Sequence, residues 1–267
     1  MGENDHSRTG TRSVPEGRRL WIVDRIRTTG SVTITGLSEE LGISPMTARR
    51  DLAALEKDGW LRRTYGGAVL PLLAGHEDSF QARLDQAVDA KERLAKAAVD
   101  LIEPGEAAFV DCSTSSYHLV RRLIAEGREA TILTNSVPVM DIFRTGAPPR
   151  VDLIGLGGIF RRLSMSFVGP QTVTAARSHF ADKAFLSVKG ITRDGHLTDP
   201  DALETEVKRA MIERSEKSIL LADPSKFQSR GLSEIGHISD VSLVLTAGAP
   251  EDLRRSIESM GVEVGDV

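Results

Sequence analysis

Two rhythms of apolar residues divide the chain. Between Glu16 and Leu70 they recur three and four apart in short bursts; beyond Gly105 they come as short unbroken runs. Ile22, Val23 and Ile26 share one helical face, and Thr28-Thr29-Gly30 closes that helix. Thr33 suits the cap of a second short helix with Leu37 and Leu41 on its buried side. Gly36 inside it costs about 1 kcal/mol relative to Ala, so this helix depends on tertiary support. Ser44 and Pro45 suit the cap and first position of a third helix, whose apolar stripe is Ala48, Leu52 and Leu55. The stretch "LRRTYGGAV" then reads as a strand, a Gly-Gly turn and a second strand.

The later rhythm differs. A helix over about 86–102 places Leu94, Ala98 and Leu101 on one side and breaks at "EPGE". Then "AAFVD", "TILTN", "VDLIGLGG", "KAFLSV", "SILLAD" and "VSLVLT" alternate with helical stretches, the pattern of a mostly parallel sheet covered by helices. The expected fold is therefore α/β: a winged helix-turn-helix followed by a Rossmann-like three-layer α/β domain. The expected division is a disordered tail at 1–14, a winged helix-turn-helix at 15–70, a linker at 71–84 and the α/β domain at 85–267.

Composition changes this picture only at the edges. The chain has 267 residues, of which 40% are hydrophobic and 27% charged, with a net charge of −4. No apolar run of membrane-spanning length and no signal-peptide core is present, and one cysteine, Cys112, excludes an internal disulfide. A cytoplasmic location follows as an expectation. His118, His179, His196 and His237 show no metal-ligand spacing with Cys112, so neither metal nor cofactor is expected. Residues 1–70 carry 11 Lys and Arg against 9 Asp and Glu, whereas the remainder carries 23 against 29. A basic head on an acidic body points weakly to nucleic acid, with chance variation as the alternative.

The arginines sharpen the hint. If Ala48, Leu52 and Leu55 face a small core, then Met46, Thr47, Arg49 and Arg50 turn outward at the start of the third helix. That is the geometry of a recognition helix in the major groove, where Arg pairs with guanine and Thr meets phosphate or a thymine methyl. Thr33 and Ser44 flank it at helix starts, and Arg62, Arg63 and Tyr65 on the wing would meet the backbone or the minor groove. The competing reading is a solvated charged face in which Asp51, Glu56 and Asp58 neutralise these arginines.

In the α/β region the candidate ligand groups fall at strand ends, where open α/β sheets collect their ligands. "DCSTSS" opens a helix at about Tyr117; its backbone N–H groups and the hydroxyls of Ser113, Thr114, Ser115 and Ser116 could hold a phosphate. A hydroxyl-rich cap without ligand is the alternative. Asn135 ends the next strand in a contact or a simple turn. Gly157 and Gly158 permit close approach or positive φ, but their spacing is not a dinucleotide fingerprint. Arg161 and Arg162 could meet an anion or remain solvated. Asp111 and Asp223 could accept sugar hydroxyls, and Lys226 could bind phosphate as a point charge. Glu204 and Lys208 lie four apart and could pair on a helix surface.

The stretch "GISPMTARRDLAALEKDGWLRRTYGGAVL" resembles the DeoR family of bacterial transcriptional regulators. So do "FVDCSTSSYHLVRRL", "LTNSVPVM", "GLGGIFRRLSMSFVGP", "ADKAFLSVKGIT" and "LETEVKRAMIERSEKSILLADPSKF", in that order. The resemblance implies a C-terminal domain similar in fold to ribose-5-phosphate isomerase that senses a phosphorylated sugar or polyol. It further implies operator DNA as partner, repression of a carbohydrate operon, and a pocket bordered by the helix of Glu204 and Lys208. Ser113 stands where relatives often have Gly, Lys189 where they often have an acidic or small residue, and Ala48 where a branched residue is usual. A homo-oligomer, dimer or tetramer, is expected on a repeated operator. The rivals are a sugar-phosphate isomerase-like enzyme and a regulator whose pocket has degenerated.

Overall fold

The computed structural model describes residues 15–29, 31–58, 60–64, 66–69, 77–144 and 150–267. The expected tail at 1–14, the linker positions 71–76 and Tyr65 lie outside the described residues. Contacts divide the chain into two units, one ending at His76 and one beginning at Glu77.

The first unit runs α1 (Pro15–Thr29), β1 (Ser31–Thr33), α2 (Ile34–Leu41), α3 (Pro45–Lys57), β2 (Arg62–Thr64) and β3 (Gly67–Val69). Both expected caps form: the Thr33 side chain accepts the Gly36 N–H, and the Ser44 side chain accepts the Thr47 N–H. Gly42, with φ of 64°, ends α2 in the left-handed conformation that glycine tolerates. Ile22, Ile26, Leu37, Ala48, Leu52, Leu55 and Leu61 are all buried in one core. The wing holds one strand more than the hairpin pattern suggests, because β1 pairs with β3 to give the antiparallel order β1-β3-β2. Gly67 makes this possible. A Cβ there would stand 1.9 Å from the Val32 carbonyl oxygen, so the second glycine serves the strand crossing as well as the turn.

The second unit is a three-layer α/β domain around a seven-stranded sheet in the order β15-β14-β12-β9-β4-β5-β6. Its strands are β4 (Ala107–Val110), β5 (Ala130–Thr134), β6 (Val151–Gly155), β9 (Ala181–Leu186), β12 (Ser215–Ala222), β14 (Leu243–Thr246) and β15 (Glu263–Asp266). Every pairing in this sheet is parallel. Along β4, Ala108 and Val110 face one apolar cluster with α5 (Val88–Val99), α6 (Thr114–Ala125) and α7 (Val137–Arg144). Phe109 faces the opposite cluster with α8 (Pro170–Arg177), α9 (Ala202–Glu213) and α10 (Glu251–Ser259). Two antiparallel additions flank the sheet: β7 (Ile159–Arg161) with β8 (Ser166–Val168), and β10 (Gly190–Ile191) with β11 (His196–Asp199) and β13 (Ser233–His237).

The α/β unit starts earlier than expected. A short helix, α4 (Phe80–Leu84), occupies part of the span read as linker. Phe80 is buried, and its N–H donates to the Leu163 carbonyl at 2.8 Å. One aromatic anchor is enough to draw a polar stretch onto the domain. The sheet order reverses direction between β4 and β9, which marks the topological switch point where a crevice opens.

Candidate functional site

In the first unit the arginines divide into two groups. Asp51 is buried and binds Arg18 Nε at 2.5 Å and Arg19 Nε at 3.3 Å, so it ties α3 to α1. It does not neutralise its neighbours Arg49 and Arg50. Both are exposed, and their side chains make no ion pair or hydrogen bond among the described residues. Met46 beside them is 64% exposed and Thr47 is half-buried, with its hydroxyl 2.9 Å from that of Ser44. The start of α3 therefore presents a compact basic surface around a protruding methionine. On the wing Glu56 accepts the Arg63 backbone N–H at 2.8 Å and its Nε at 2.6 Å, which orients that exposed guanidinium. Arg62 heads β2, and its side chain lies outside the described residues.

In the second unit a cavity of about 140 Å³ opens at the carboxyl ends of β4, β9 and β12. Ser113, Thr114, Ser115, Lys189, Glu204, Lys208, Asp223 and Lys226 all line it. The α6 helix starts at Thr114, three residues ahead of the expected Tyr117, because Ser113 rather than a later hydroxyl caps it. The Ser113 Oγ accepts the Ser116 N–H at 3.1 Å. That leaves the N–H groups of Thr114 and Ser115 with no protein partner among the described residues, aimed from a helix N-terminus.

Five expected ligand residues do not line the cavity. Asp111 is fully buried beneath it. Its Oδ1 accepts the Ser113 N–H at 3.0 Å and the Ser116 hydroxyl at 2.7 Å; its Oδ2 accepts the Ser187 N–H at 3.0 Å and lies 3.2 Å from Lys208 Nζ. Burial alone would raise its pKa, but Lys208 and these hydrogen bonds hold it below the usual carboxylate value. With its oxygens committed, Asp111 positions the loop, and Ser116 serves the same network. Asn135 donates to the Phe167 carbonyl at 2.8 Å and so fastens β8 to the end of β5. Gly157 and Gly158 have no positive φ. A Cβ on Gly158 would fall 2.0 Å from Thr172 Oγ1, so this glycine admits α8, whereas a Cβ on Gly157 would meet open space and only its carbonyl is engaged, by the Thr172 hydroxyl at 3.0 Å.

Glu204 and Lys208 do not pair on the helix surface. Both are buried and face different partners across the crevice. Lys208 Nζ lies 2.5 Å from Asp199 Oδ2 and donates to the Ser187 carbonyl at 2.5 Å. Burial opposes its charge, yet the Asp199 and Asp111 carboxylates hold its pKa well above the ordinary lysine value. Glu204 lies 3.1 Å from Arg161 Nη1, and burial raises its pKa despite that partner. Arg161 also grips Glu77 bidentately at 2.7 and 2.6 Å and Asp201 at 3.1 Å. Arg161 is thus an internal clamp rather than an anion receptor.

Among the lining residues that escape the sequence reading are Arg83, Lys91, Ser187 and Asp199. Lys91 has a legible signal, since it lies three residues before Leu94 and seven before Ala98 on the apolar stripe of α5. Its Nζ donates to the carbonyls of Arg83 and Gln86. Burial and the nearby Lys226 charge push its pKa down to about 8. The Ser187 hydroxyl is buried without a partner among the described residues. Lys226 lies 3.6 Å from Asp223, and burial lowers its pKa as well. Cations, free N–H groups and an unsatisfied hydroxyl thus share one small crevice with carboxylates.

An exposed basic helix start in one unit and a charged strand-end cavity in the other define a DNA-binding regulator with a separate sensor unit. The family model described as the DeoR-like helix-turn-helix domain matches residues 18–72, and that of the DeoR C terminal sensor domain matches residues 86–247. The chain belongs to the DeoR family of transcriptional regulators. It is 32% identical to the HTH-type transcriptional regulator GlpR of Haloferax volcanii, covering 95% of this chain and 98% of that one. It is 31% identical to the L-fucose operon activator of Escherichia coli K12, over 86% of this chain and 93% of that one. It is 34% identical to the lactose phosphotransferase system repressor of Lactococcus lactis, over 77% and 80%. No helix among the described residues is long and apolar enough to cross a membrane.

Proposed function

We propose that this protein represses a carbohydrate-metabolism operon and that a phosphorylated sugar or polyol in the cavity of its second unit controls its grip on operator DNA. The observation that carries this reading is the pairing of two chemistries at one sheet edge. The α6 N-terminus with Lys189 and Lys226 offers an anion site, while the carboxylates of Glu204, Asp199 and Asp223 offer acceptors for hydroxyls. The names of two relatives, an L-fucose operon activator and a lactose phosphotransferase system repressor, support the carbohydrate part of this reading. On the DNA side, Arg49 and Arg50 read bases from α3, with Met46 and Thr47 beside them. Arg62, Arg63 and Tyr65 engage the backbone or minor groove from the wing. Thr33 and Ser44 present helix starts to phosphate. A single winged module reads few base pairs, so the working form is a homo-oligomer on a repeated site, in the cytoplasm.

A thermal-shift screen of the full chain against phosphorylated sugars and polyols tests the effector, because a ligand specific for the native state raises its stability. The hit is then added to a labelled-operator titration. A chain that no such compound stabilises is a regulator with a degenerate pocket.

One observation favours a catalytic alternative: Glu204 is a buried carboxylate of raised pKa at the cavity wall, as an isomerase base would be. Its contact with Arg161, at 3.1 Å, instead supports a carboxylate held in an internal ion pair rather than a free base. An aldose–ketose isomerisation assay on wild type and Glu204→Gln discriminates, with no turnover expected in either.

A further inference from the structure

Glu56 is an acidic residue beside a wing arginine that would meet duplex DNA, where a carboxylate is expected to repel phosphate. It stands in the last turn of α3, and both its oxygens are committed to that one arginine. Oε1 accepts the Arg63 backbone N–H at 2.8 Å, and Oε2 accepts the Arg63 Nε–H at 2.6 Å. These two hydrogen bonds, the backbone one first, hold the Glu56 carboxyl below the usual carboxylate value, so it stays ionised at neutral pH.

The strand order shows why Arg63 needs a holder. β2 is an outer strand of the wing, and Ala68, which pairs with Arg63 across the ladder, is 1% exposed. Residues directly opposite in an antiparallel pair share a face. The Arg63 side chain therefore leaves the wing on its core side and reaches solvent beside the end of α3, where Glu56 meets it. Glu56 takes only the Nε–H; the N–H groups of Nη1 and Nη2 have no partner among the described residues. That free edge of the guanidinium matches two oxygens of a phosphate. An ion pair this exposed contributes little to stability. Its larger effect is on direction, because an arginine already held in place loses less rotamer freedom on binding.

We propose that Glu56 is a positioning residue for DNA binding: it fixes the Arg63 guanidinium with its Nη1–Nη2 edge toward a backbone phosphate, and so strengthens the grip on a polyanion although it is itself negative. The assignment rests on the reading of the wing as a DNA contact. Arg49 and Arg50 have no such holder among the described residues and settle only when the duplex arrives.

The test uses the full chain and a labelled DNA duplex of arbitrary sequence, because a phosphate contact does not depend on sequence. Anisotropy titrations over a range of salt compare wild type, Glu56→Ala, Glu56→Gln, Arg63→Ala and the Glu56→Ala/Arg63→Ala double variant. Arg63→Ala weakens binding about tenfold and makes the salt slope shallower by about one. Glu56→Ala weakens binding about two- to tenfold, the cost of ordering one long side chain, although the chain has lost a negative charge. Glu56→Gln, which can still accept one of the two N–H groups, recovers part of that loss. In the Arg63→Ala background, Glu56→Ala weakens binding no further. Tighter or unchanged binding in Glu56→Ala, beside a weakened Arg63→Ala, overturns the assignment and leaves the wing contact standing. An equal loss in both backgrounds also overturns it, since Glu56 would then act through the fold. Should Glu56→Ala fail to fold, Glu56→Gln alone and with Arg63→Ala carries the same criteria. Wild-type affinity in Arg63→Ala, or a wild-type chain that binds no duplex at low salt, overturns the wing contact and Glu56's part in it together.

Discussion

In the first unit Arg49 and Arg50 project from the start of α3 with no partner among the described residues. In the second, Arg161 is held by three carboxylates and Lys208 by two. The same residue types thus do opposite work. Exposed unpaired cations remain available to a polyanion that brings its own compensating charge, and their attraction falls with salt. Buried cations must find internal partners or a small anion, because desolvation otherwise neutralises them. The proposed function uses both, one surface for duplex phosphates and bases and one crevice for a metabolite, and a net charge of −4 conceals the difference.

The comparison breaks most sharply at Lys208. Lys208→Met leaves Asp111 and Asp199 buried without their shared cation, and the second unit should lose about 3–5 kcal/mol, read as an earlier urea transition. The matching injury in the first unit is apolar: Leu52→Ala, at a site 1% exposed, should remove about 2–5 kcal/mol. Arg49→Ala and Arg50→Ala should each weaken operator binding by about 1–3 kcal/mol, measured by anisotropy at fixed salt, while the melting temperature stays put. A matching loss of stability would place those arginines in the fold rather than on the DNA.

Smaller effects sharpen the contrast. Lys91 titrates near 8 in the folded chain against an ordinary 10.5, a depressed value for a cation. Between those values the unfolded chain holds a proton that the folded one lacks, so this group makes stability rise with pH across that window. Anion binding favours the ammonium form and should weaken as pH passes about 8, as titrations of phosphate at pH 7 and 9 would show. Ser44→Ala, which removes the α3 cap, should cost about 1 kcal/mol in DNA-free thermal unfolding.

The DNA-binding unit was largely legible because its signals are local. A cap, a proline at the first position and a stripe at i, i+4 and i+7 all lie within twelve residues of α3. What the reading missed there, strand β1, depends on a crossing at Gly67 made by residues more than thirty positions away. The cavity was legible only in position. Strand ends announce themselves through apolar runs, but pairing across the crevice is not local. Glu204 and Lys208 have the spacing of a surface pair and instead turn inward to Arg161 and Asp199. Asp111 looked free to accept sugar hydroxyls until the Ser187 N–H and Lys208, both distant in sequence, took its second oxygen. Arg83 hid in a span that reads as linker because its packing rests on partners distant in sequence: Phe80 is buried in the domain and Glu77 is gripped by Arg161.

The division of labour between the two units is tested most directly by titrating a labelled operator duplex with the full chain, with and without the sugar phosphate that stabilises it, for wild type and Lys226→Ala. The account predicts a change in operator affinity of about 5- to 150-fold in wild type and none in Lys226→Ala, with equal ligand-free affinities. An effector that binds wild type yet leaves its operator affinity unchanged, or a Lys226→Ala chain that responds as wild type does, would contradict it.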